Sequence, residues 1–451
     1  MAPRNPELHT AMLAYVPAAM QVLAVRIQAG ARVIAIREEY WERQPGTDDF
    51  LRQERARPLW DTLYSPAIEE LRSLREYGEC AAAIERDPTV ACQLGILVGV
   101  GGIQSTYLAE LVMARTVIRI LSDLGRPGFE EGPFDREYAA LEQAFYEDSA
   151  PAEIVAPLTG FSIEAERIEL DEDLAIVPLT EEDRARYAEL GEFVTDTHAS
   201  GVPRFAVRSD CRAPKLVGER TPEQEEKARA FVEEVWRFDA RLRDLELVLG
   251  SYKTGRYEMR RRDVRIHSWF PTNPGLFYAQ MLPQGYGLNE QEAADLPAFW
   301  REVQNAGIEH KKRGYLGVAL RRLRYAAGRE RMEDRLVDLV VAAEALFPGV
   351  VGKPSSAELS YRLAMYVAGF LGKDQEERRS IFERMREAYR LRSEIVHGVV
   401  VDEGRVAQVV TDVEGFVREG LKKAVGLAAA SPGGSGKLAE EKDLTFPSEI
   451  G

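Results

Sequence analysis

The residues best suited to chemistry lie in the stretch YRLRSEIVHGVV, at residues 389–400. Arg392 and His397 are five residues apart, Ser393 follows the arginine, and Gly398 follows the histidine as a helix stop would. A histidine can take or give a proton near neutral pH, because its unperturbed pKa is about 6.5. An arginine presents a fixed fork of N–H donors to a charged phosphorus oxygen. Cleavage of RNA without a metal needs both groups, for the proton transfers at the 2′- and 5′-oxygens and for the charge that develops on the phosphate.

The spacing alone is weak evidence, because three of the five histidines follow an arginine by five residues. These pairs are Arg4 with His9, Arg262 with His267, and Arg392 with His397. A proline at position 6 interrupts the first pair, so no helix is expected to run through it. The second pair lies in RRDVRIHSWF, where β-branched and aromatic residues predict a strand or its edge. Only the third pair lies on a strongly periodic helix with a clear end.

The composition is that of a soluble protein with two or three domains. The chain has 451 residues, of which 45% are hydrophobic and 29% charged, so neither a disordered nor a membrane-embedded class is favoured. Its three cysteines, Cys80, Cys92 and Cys211, form no metal-ligand spacing and no disulfide framework, so no cofactor or metal is expected. The apolar stretch at 94–103 is too short to span a bilayer, and no signal peptide is recognised. We therefore expect a reduced, cytoplasmic protein without a membrane partner.

The charge is unevenly distributed along the chain. The net charge of −15 argues against a general nucleic-acid binder. Residues 251–335, however, hold 16 Lys and Arg against 10 Asp and Glu, a local net charge of +6. The arginines predicted to contact RNA are Arg260, Arg261, Arg262, Arg321, Arg322 and Arg324. The alternative interpretation, a solvated helix face with intramolecular ion pairs, remains open at this stage.

The hydrophobic pattern predicts a mainly α protein with a mixed α+β middle region. Residues 1–130 are expected to be a helical region, with the glycines of GILVGVGGIQST serving close helix packing, since a phosphate loop would require a lysine that is absent. Residues 150–310 combine strands and helices, including a hairpin that turns at 171–173. Residues 314–428 are expected to be helical again, and the tail at 431–451 to be disordered.

Four amphipathic helices with clear ends are predicted in the C-terminal region. Proline and glycine at 348 and 349 stop the first helix, Ser355 begins the second, and Asp374 caps the third, which Gly398 ends. A fourth helix follows the turn at 402–404. Short connections of this kind predict an antiparallel four-helix bundle.

The bundle resembles a HEPN domain, in particular the HEPN domains of ApeA-like proteins of bacterial phage defence. The matching pieces are DRLVDLVVAAEALFPG, ELSYRLAMYVAGFLG and YRLRSEIVHG, and the bundle that contains them is about a quarter of the chain. The resemblance implies that Arg392 and His397 are the ribonuclease pair, that Ser393 is the accompanying polar residue, and that Glu344 is an acidic residue near the site. It also implies a homodimer, metal-independent cleavage to 2′,3′-cyclic phosphate ends, an RNA substrate such as tRNA or mRNA, a role in abortive infection, and a phage-derived trigger.

Helix geometry constrains this interpretation. Residues five apart on an ideal helix differ in direction by about 140°, so Arg392 and His397 converge only if the helix opens at its last turn or a second protomer supplies one of them. Two alternatives remain open. Both residues could be structural, since cations near a helix C-terminus are favourable. The bundle could also be a non-catalytic dimerisation or RNA-binding module.

Overall fold

The computed structural model describes most of the chain. The described residues are 3–100, 103–189, 194–195, 198–199, 201–255, 257–259, 262–270, 285–308, 314–347 and 356–430. The tail at 431–451, which the sequence predicts to be disordered, lies outside them, as do Arg260, Arg261 and Ser355. The fold is mainly helical with a mixed sheet region in the middle, as predicted.

The N-terminal region contains seven helices and four strands among its described residues. They are α1 Pro6–Gln28, β1 Ile34–Arg43, β2 Phe50–Leu59, α2 Asp61–Tyr64, α3 Ile68–Arg72, α4 Arg75–Arg86, α5 Pro88–Ala91, β3 Leu97–Val100, β4 Ile103–Thr106, α6 Ala109–Leu124 and α7 Glu131–Tyr146. A short 3-10 turn, Ser65–Ala67, joins α2 to α3. The prediction of a purely helical region is therefore wrong in two places.

Both strand pairs in this region are antiparallel hairpins. In the first, β1 and β2 pair over ten residues, and Gly46 in the connecting turn has a φ of +79°, which a glycine adopts at little cost. Arg55 and Arg57 of β2 both form ion pairs with Glu38 of β1. In the second, Val98 of β3 lies opposite Ser105 of β4, so the glycine-rich stretch forms a hairpin rather than a helix contact.

Helix α1 is long and apolar enough to cross a membrane by length and composition, with a mean hydropathy of 1.5 over its most apolar window. The sequence prediction placed this segment in a helical region but tested only the stretch at 94–103 as a membrane span. In the fold, its Met12, Tyr15, Val16 and Leu23 are fully buried in the N-terminal core. A core helix of a soluble protein and a signal sequence both pass the same test, and 39% of the most apolar window is buried in the fold.

The middle region begins with a long antiparallel ladder. Its elements are β5 Ser149–Thr159, β6 Phe161–Ile163, β7 Ile168–Glu169, β8 Ala175–Pro178, α8 Glu181–Glu189, β9 Val194–Thr195, β10 His198–Ala199, β11 Phe205–Val217, α9 Pro222–Tyr252, β12 Glu258–Met259, β13 Asp263–Ile266, β14 Tyr286–Leu288 and α10 Glu290–Asn305. The predicted hairpin at 171–173 is confirmed as β7 and β8. Reciprocal capping pairs begin α8, with Thr180 and Asp183, and α10, with Asn289 and Glu292.

Strands β5 and β11 contribute residues to two hydrophobic cores, the N-terminal core and a second core in the middle region. They pair over ten residues, from Phe205 opposite Leu158 to Pro214 opposite Ser149. At one end, Ala150, Ala152 and Ala213 pack into the N-terminal core. At the other end, the buried residues pack into the second core; they are Ile154, Ala156, Leu158, Phe205 and Val207. One ladder therefore positions both halves of the described chain.

Five helices complete the C-terminal region. They are α11 Gly314–Gly328, α12 Met332–Leu346, α13 Ser356–Leu371, α14 Gln375–Val396 and α15 Glu403–Ala430. The ends predicted at Asp374 and Gly398 are confirmed. The buried residues of these helices and those of the middle region form one continuous hydrophobic core. The predicted regions 150–310 and 314–428 thus share a core, although their boundary in sequence is clear.

A buried ionic cluster fastens α15 to α12 and to the end of α9. Glu414 is 5% exposed and forms ion pairs with Arg418, at 2.6 Å, and with Arg335. Thr254 donates to Glu414 at 2.8 Å, and Arg418 donates to the carbonyl of Gly250 at 3.0 Å. Burial raises the pKa of Glu414, but the two arginines outweigh it and hold that pKa below the ordinary value.

We expect Glu414→Gln to destabilise the protein at neutral pH by about 3 kcal/mol, because two largely buried arginines lose their carboxylate. The folded-state pKa of Glu414 is lowered, so this stabilisation is fully present above the unfolded value of 4.5 and is lost as the pH falls through the lowered pKa. Urea unfolding of wild type and variant from pH 7 to pH 3 measures the difference. Glu419→Gln, an exposed position on the same helix, serves as the control. A difference that grows on acidification would contradict the assignment.

Candidate active site at the end of helix α14

Helix α14 carries the candidate residues, and its sequence explains both of its ends. Asp374 accepts a hydrogen bond from the backbone N–H of Glu377 at 2.9 Å and so caps the N-terminus. At the other end, Gly398 has a φ of +77° and donates to the carbonyl of Ile395 at 3.0 Å. The N–H of Val399 donates to the carbonyl of residue 394 at 2.9 Å, which completes a Schellman motif. The final turn is therefore closed.

Arg392 lies half-buried on this helix without a charged partner. Its guanidinium lies over the ring of Tyr389, 5.9 Å from the ring centroid. Its Nε atom is buried and has no hydrogen-bond partner. No ion pair of Arg392 exists within the part of the chain that the structure describes. A guanidinium in this state keeps its donors available to an incoming anion.

Glu344 of α12 is brought to the same place. It is half-buried, and its carboxylate accepts a hydrogen bond from the hydroxyl of Tyr389. Burial and the negative charge of Glu344 raise the pKa of Tyr389, while Arg392 acts in the opposite direction. Three groups from two helices therefore meet: a carboxylate, a neutral phenol and an unpaired guanidinium.

Sequence reasoning missed Tyr389. Its signal was present, because residues three apart on a helix share a face and Tyr389 precedes Arg392 by three. The residue is 8% exposed, and its ring belongs to the hydrophobic core. It connects the acidic residue to the arginine and fixes the orientation of both.

His397 is the C-cap of α14 and points away from this cluster. It is exposed, and its backbone N–H donates to the carbonyl of Ser393 at 3.1 Å, so helical geometry continues to that residue. With the last turn closed, Arg392 and His397 differ in direction by about 140°. Ser393, which directly follows Arg392 in the sequence, is half-buried. The sequence left two ways for Arg392 and His397 to approach one phosphate, an opening of the last helical turn or a contribution from a second protomer. The last turn is not open in this structure.

Three valines surround the histidine with apolar surface. Val396 is 55% exposed, Val399 52% and Val400 97%. These exposed, branched apolar side chains lie within five consecutive positions of the chain, where a partner surface could cover them. We call residues 396, 399 and 400 the valine patch.

The predicted RNA-binding arginines are mostly engaged in ion pairs within the protein. Arg262 bonds Asp239 at 2.9 Å, Arg322 bonds Asp338 at 2.8 Å, and Arg324 bonds Glu246 at 2.6 Å. Arg321 is exposed, and among the described residues it has no ion pair. Three of the four described arginines thus follow the alternative that the sequence left open. RNA contact by this group stays a prediction, carried mainly by Arg321.

The other two Arg-x4-His pairs occupy the contexts that the sequence indicated. Helix α1 begins at Pro6, between Arg4 and His9, and the ring of His9 packs edge-on against Tyr138. His267 directly follows β13. Only the pair on α14 places an unpaired arginine beside a carboxylate.

Comparison with known proteins adds no identification: no family model, no curated protein and no solved structure matches the chain.

We expect Gly398→Ala to destabilise the protein by about 1–2 kcal/mol, because alanine must adopt the left-handed conformation. No atom lies within 4 Å of the added Cβ, so the cost is conformational rather than steric. Gly415→Ala, in the exposed middle of α15, should instead stabilise by about 0.5–1 kcal/mol. Urea unfolding of both variants measures the contrast. Equal stability of Gly398→Ala and wild type would exclude the closed final turn.

Proposed function

We propose that this chain is a metal-independent HEPN endoribonuclease. In this proposal α12 to α15 constitute the antiparallel four-helix HEPN bundle, and Arg392 and His397 are its catalytic pair. The observation that carries the proposal is the half-buried, unpaired guanidinium of Arg392 beside Glu344 and Tyr389. A partly desolvated charge without an ion pair among the described residues costs stability, and binding of an anion explains its presence better than stabilisation of the fold does.

The roles of the residues follow from their chemistry. Arg392 holds the scissile phosphate with its fork of donors and stabilises the charge that develops there. His397 transfers the proton of the 2′-hydroxyl or of the leaving 5′-oxygen. The attack of the 2′-oxygen on phosphorus breaks the bond to the 5′-oxygen, so the products are a 2′,3′-cyclic phosphate and a 5′-hydroxyl. Glu344 orients Tyr389 through their hydrogen bond and thereby the arginine above the ring.

The divergence of the pair supports a site shared between two protomers. Within one chain, the closed final turn directs Arg392 and His397 to different sides of α14. A second copy that covers the valine patch would bring its own arginine toward this histidine. The symmetry of a two-fold dimer then creates two equivalent sites.

The biological setting is part of the proposal and comes from the resemblance of the three HEPN-like stretches. The substrate would be a cellular RNA such as tRNA or mRNA, and the setting bacterial defence against phage through abortive infection. The regions before α11 would restrain the enzyme until a phage-derived trigger arrives.

The valine patch also supports a second candidate function. Apolar surface around a helix end is sufficient for a dimerisation module that performs no chemistry. Such a module would leave RNA intact, which separates the two candidates directly.

We expect purified protein to cleave a tRNA pool or total RNA in the presence of EDTA. His397→Ala should lower the rate by about 10²–10⁴-fold and Arg392→Ala by about 10²–10³-fold, because each removes one role in the transition state. Arg390→Ala, an exposed neighbour paired with Glu394, should leave the rate unchanged. The new ends should resist a phosphatase that acts only on monoesters. Ends with a 3′-hydroxyl, or equal cleavage by all variants, would refute the mechanism.

The shared site predicts complementation between two inactive variants. A heterodimer of Arg392→Ala and His397→Ala, isolated with two different tags, retains one complete site if the pair works across the interface. We expect about half of the wild-type activity per dimer, since one of two equivalent sites is intact. If both groups act within one protomer, the heterodimer will be as inactive as either parent homodimer.

A further inference from the structure

A second arginine in the chain has the same unusual environment as Arg392. Seven arginines among the described residues have a buried Nε atom without a hydrogen-bond partner: Arg26, Arg115, Arg184, Arg262, Arg324, Arg335 and Arg392. Five of them nevertheless form an ion pair with a carboxylate, four through a terminal guanidinium nitrogen and Arg262 through Nε. Arg115 and Arg392 form none with any described residue. Arg115 lies on α6 in the N-terminal region, far along the chain from the candidate active site.

Arg115 is held by an aromatic surface. Its guanidinium lies over the ring of Trp269, 4.9 Å from the centroid. Trp269 is 2% exposed, and its indole Nε1 is itself buried without a hydrogen-bond acceptor. The rings of Tyr107 and Phe270 pack against the same tryptophan at 5.7 and 5.8 Å. Two adjacent side chains thus carry buried donors for which the described part of the chain supplies no acceptor.

The charge around Arg115 is not balanced locally. The carboxylate of Glu137 interacts electrostatically with Arg115, but it forms its ion pair with Arg119, at 2.5 Å. Two guanidiniums therefore share one carboxylate, which leaves a positive charge at Arg115. Burial lowers the pKa of Arg115, and the charge of Arg119 acts in the same direction. A desolvated cation without a counter-ion is the arrangement that an anionic ligand relieves.

Hydroxyl groups stand close to the same guanidinium. Tyr107 is 4% exposed, and its hydroxyl interacts electrostatically with Arg115 and hydrogen-bonds to Ser105. Ser105 belongs to β4, the second strand of the glycine-rich hairpin. The glycine-rich hairpin is therefore linked to Arg115 through the hydroxyl of Tyr107, to which Ser105 is hydrogen-bonded.

We propose that Arg115, with Tyr107 and Ser105, forms a binding site for a phosphate-type oxyanion, either inorganic phosphate or the phosphate group of a mononucleotide. The guanidinium provides the charge and a bidentate pair of donors, and the hydroxyls provide further hydrogen bonds. The aromatic rings hold the arginine in place, so little side-chain freedom is lost on binding. The site is independent of the proposed nuclease, since it lies in the other hydrophobic core.

Isothermal titration of the full chain with inorganic phosphate, and separately with AMP, tests the site at constant ionic strength. We expect saturable binding with one site per chain. Arg115→Met keeps the apolar stem over Trp269 but removes the charge, and should weaken binding at least tenfold. Arg115→Lys keeps the charge without the fork, and should weaken it less. Arg126→Met, which removes an exposed ion pair with Glu130 beyond the end of α6, should bind like wild type.

The arms of the experiment separate the possible outcomes. Tighter binding of AMP than of phosphate assigns the site to a nucleotide, and equal binding assigns it to the free anion. Binding by Arg115→Met at the wild-type affinity would overturn the proposal, as would the absence of saturable binding of either ligand to the wild-type chain. Unfolding midpoints of all variants, measured without ligand, show whether any loss of binding reflects loss of fold. Because no RNA is present, failure here leaves the nuclease proposal untouched.

Discussion

The antiparallel ladder of β5 and β11 is the constraint on which the described fold depends. Each strand is long enough to serve two cores, and the residues change accordingly along its length. Small alanines face the N-terminal core at one end, and larger branched and aromatic residues face the second core at the other. A shift of the register by one residue would turn both sets to the wrong face at once. The two halves are therefore coupled through the backbone hydrogen bonds of this strand pair, in addition to the pairing of β3 with β11 and of β2 with β10.

The C-terminal helices depend on that ladder indirectly. Helix α9 packs against β11, and its last turn supplies Gly250, and the segment just after it Thr254, to the ionic cluster around Glu414. That cluster fixes α15 against α12, and α12 in turn carries Glu344 to Tyr389. The position of Arg392 follows from this series of contacts. In contrast, His397 depends only on the local geometry of a helix end, which is set by the left-handed conformation of Gly398.

The sequence predicted those features that are determined locally. Capping residues, glycine stops and helical periodicity placed α14 correctly, because each signal acts within one or two turns of backbone. The N-terminal strands were missed for the opposite reason. The apolar residues of β1 are also compatible with helical spacing, and the strand is established by pairing with β2 and by ion pairs across it. Periodicity alone cannot distinguish a short apolar strand from a helix.

The candidate site was predictable to the same extent. The residues on α14 follow from local sequence, but their partners do not. Nothing in the sequence near Arg322 or Arg324 identifies Asp338 or Glu246 as counter-ions, so a basic cluster in sequence became a set of ion pairs in space. The absence of a counter-ion is equally invisible in sequence. Arg115 and Arg392 resemble many other arginines until burial, aromatic contact and the lack of a carboxylate are considered together.

This absence of a partner is the most informative property of both arginines. In the cluster around Glu414, two largely buried guanidiniums share one carboxylate and two neutral acceptors, so the cost of desolvation is offset within the fold. Arg115 and Arg392 are partly buried and, among the described residues, pack on an aromatic ring without an ion pair. A cation–π contact contributes about 0.5–2 kcal/mol, which offsets only part of the cost of desolvating an unpaired charge. The remaining deficit is what a bound oxyanion would remove, which is why the same local physics supports a catalytic role at one end of the chain and a ligand site at the other.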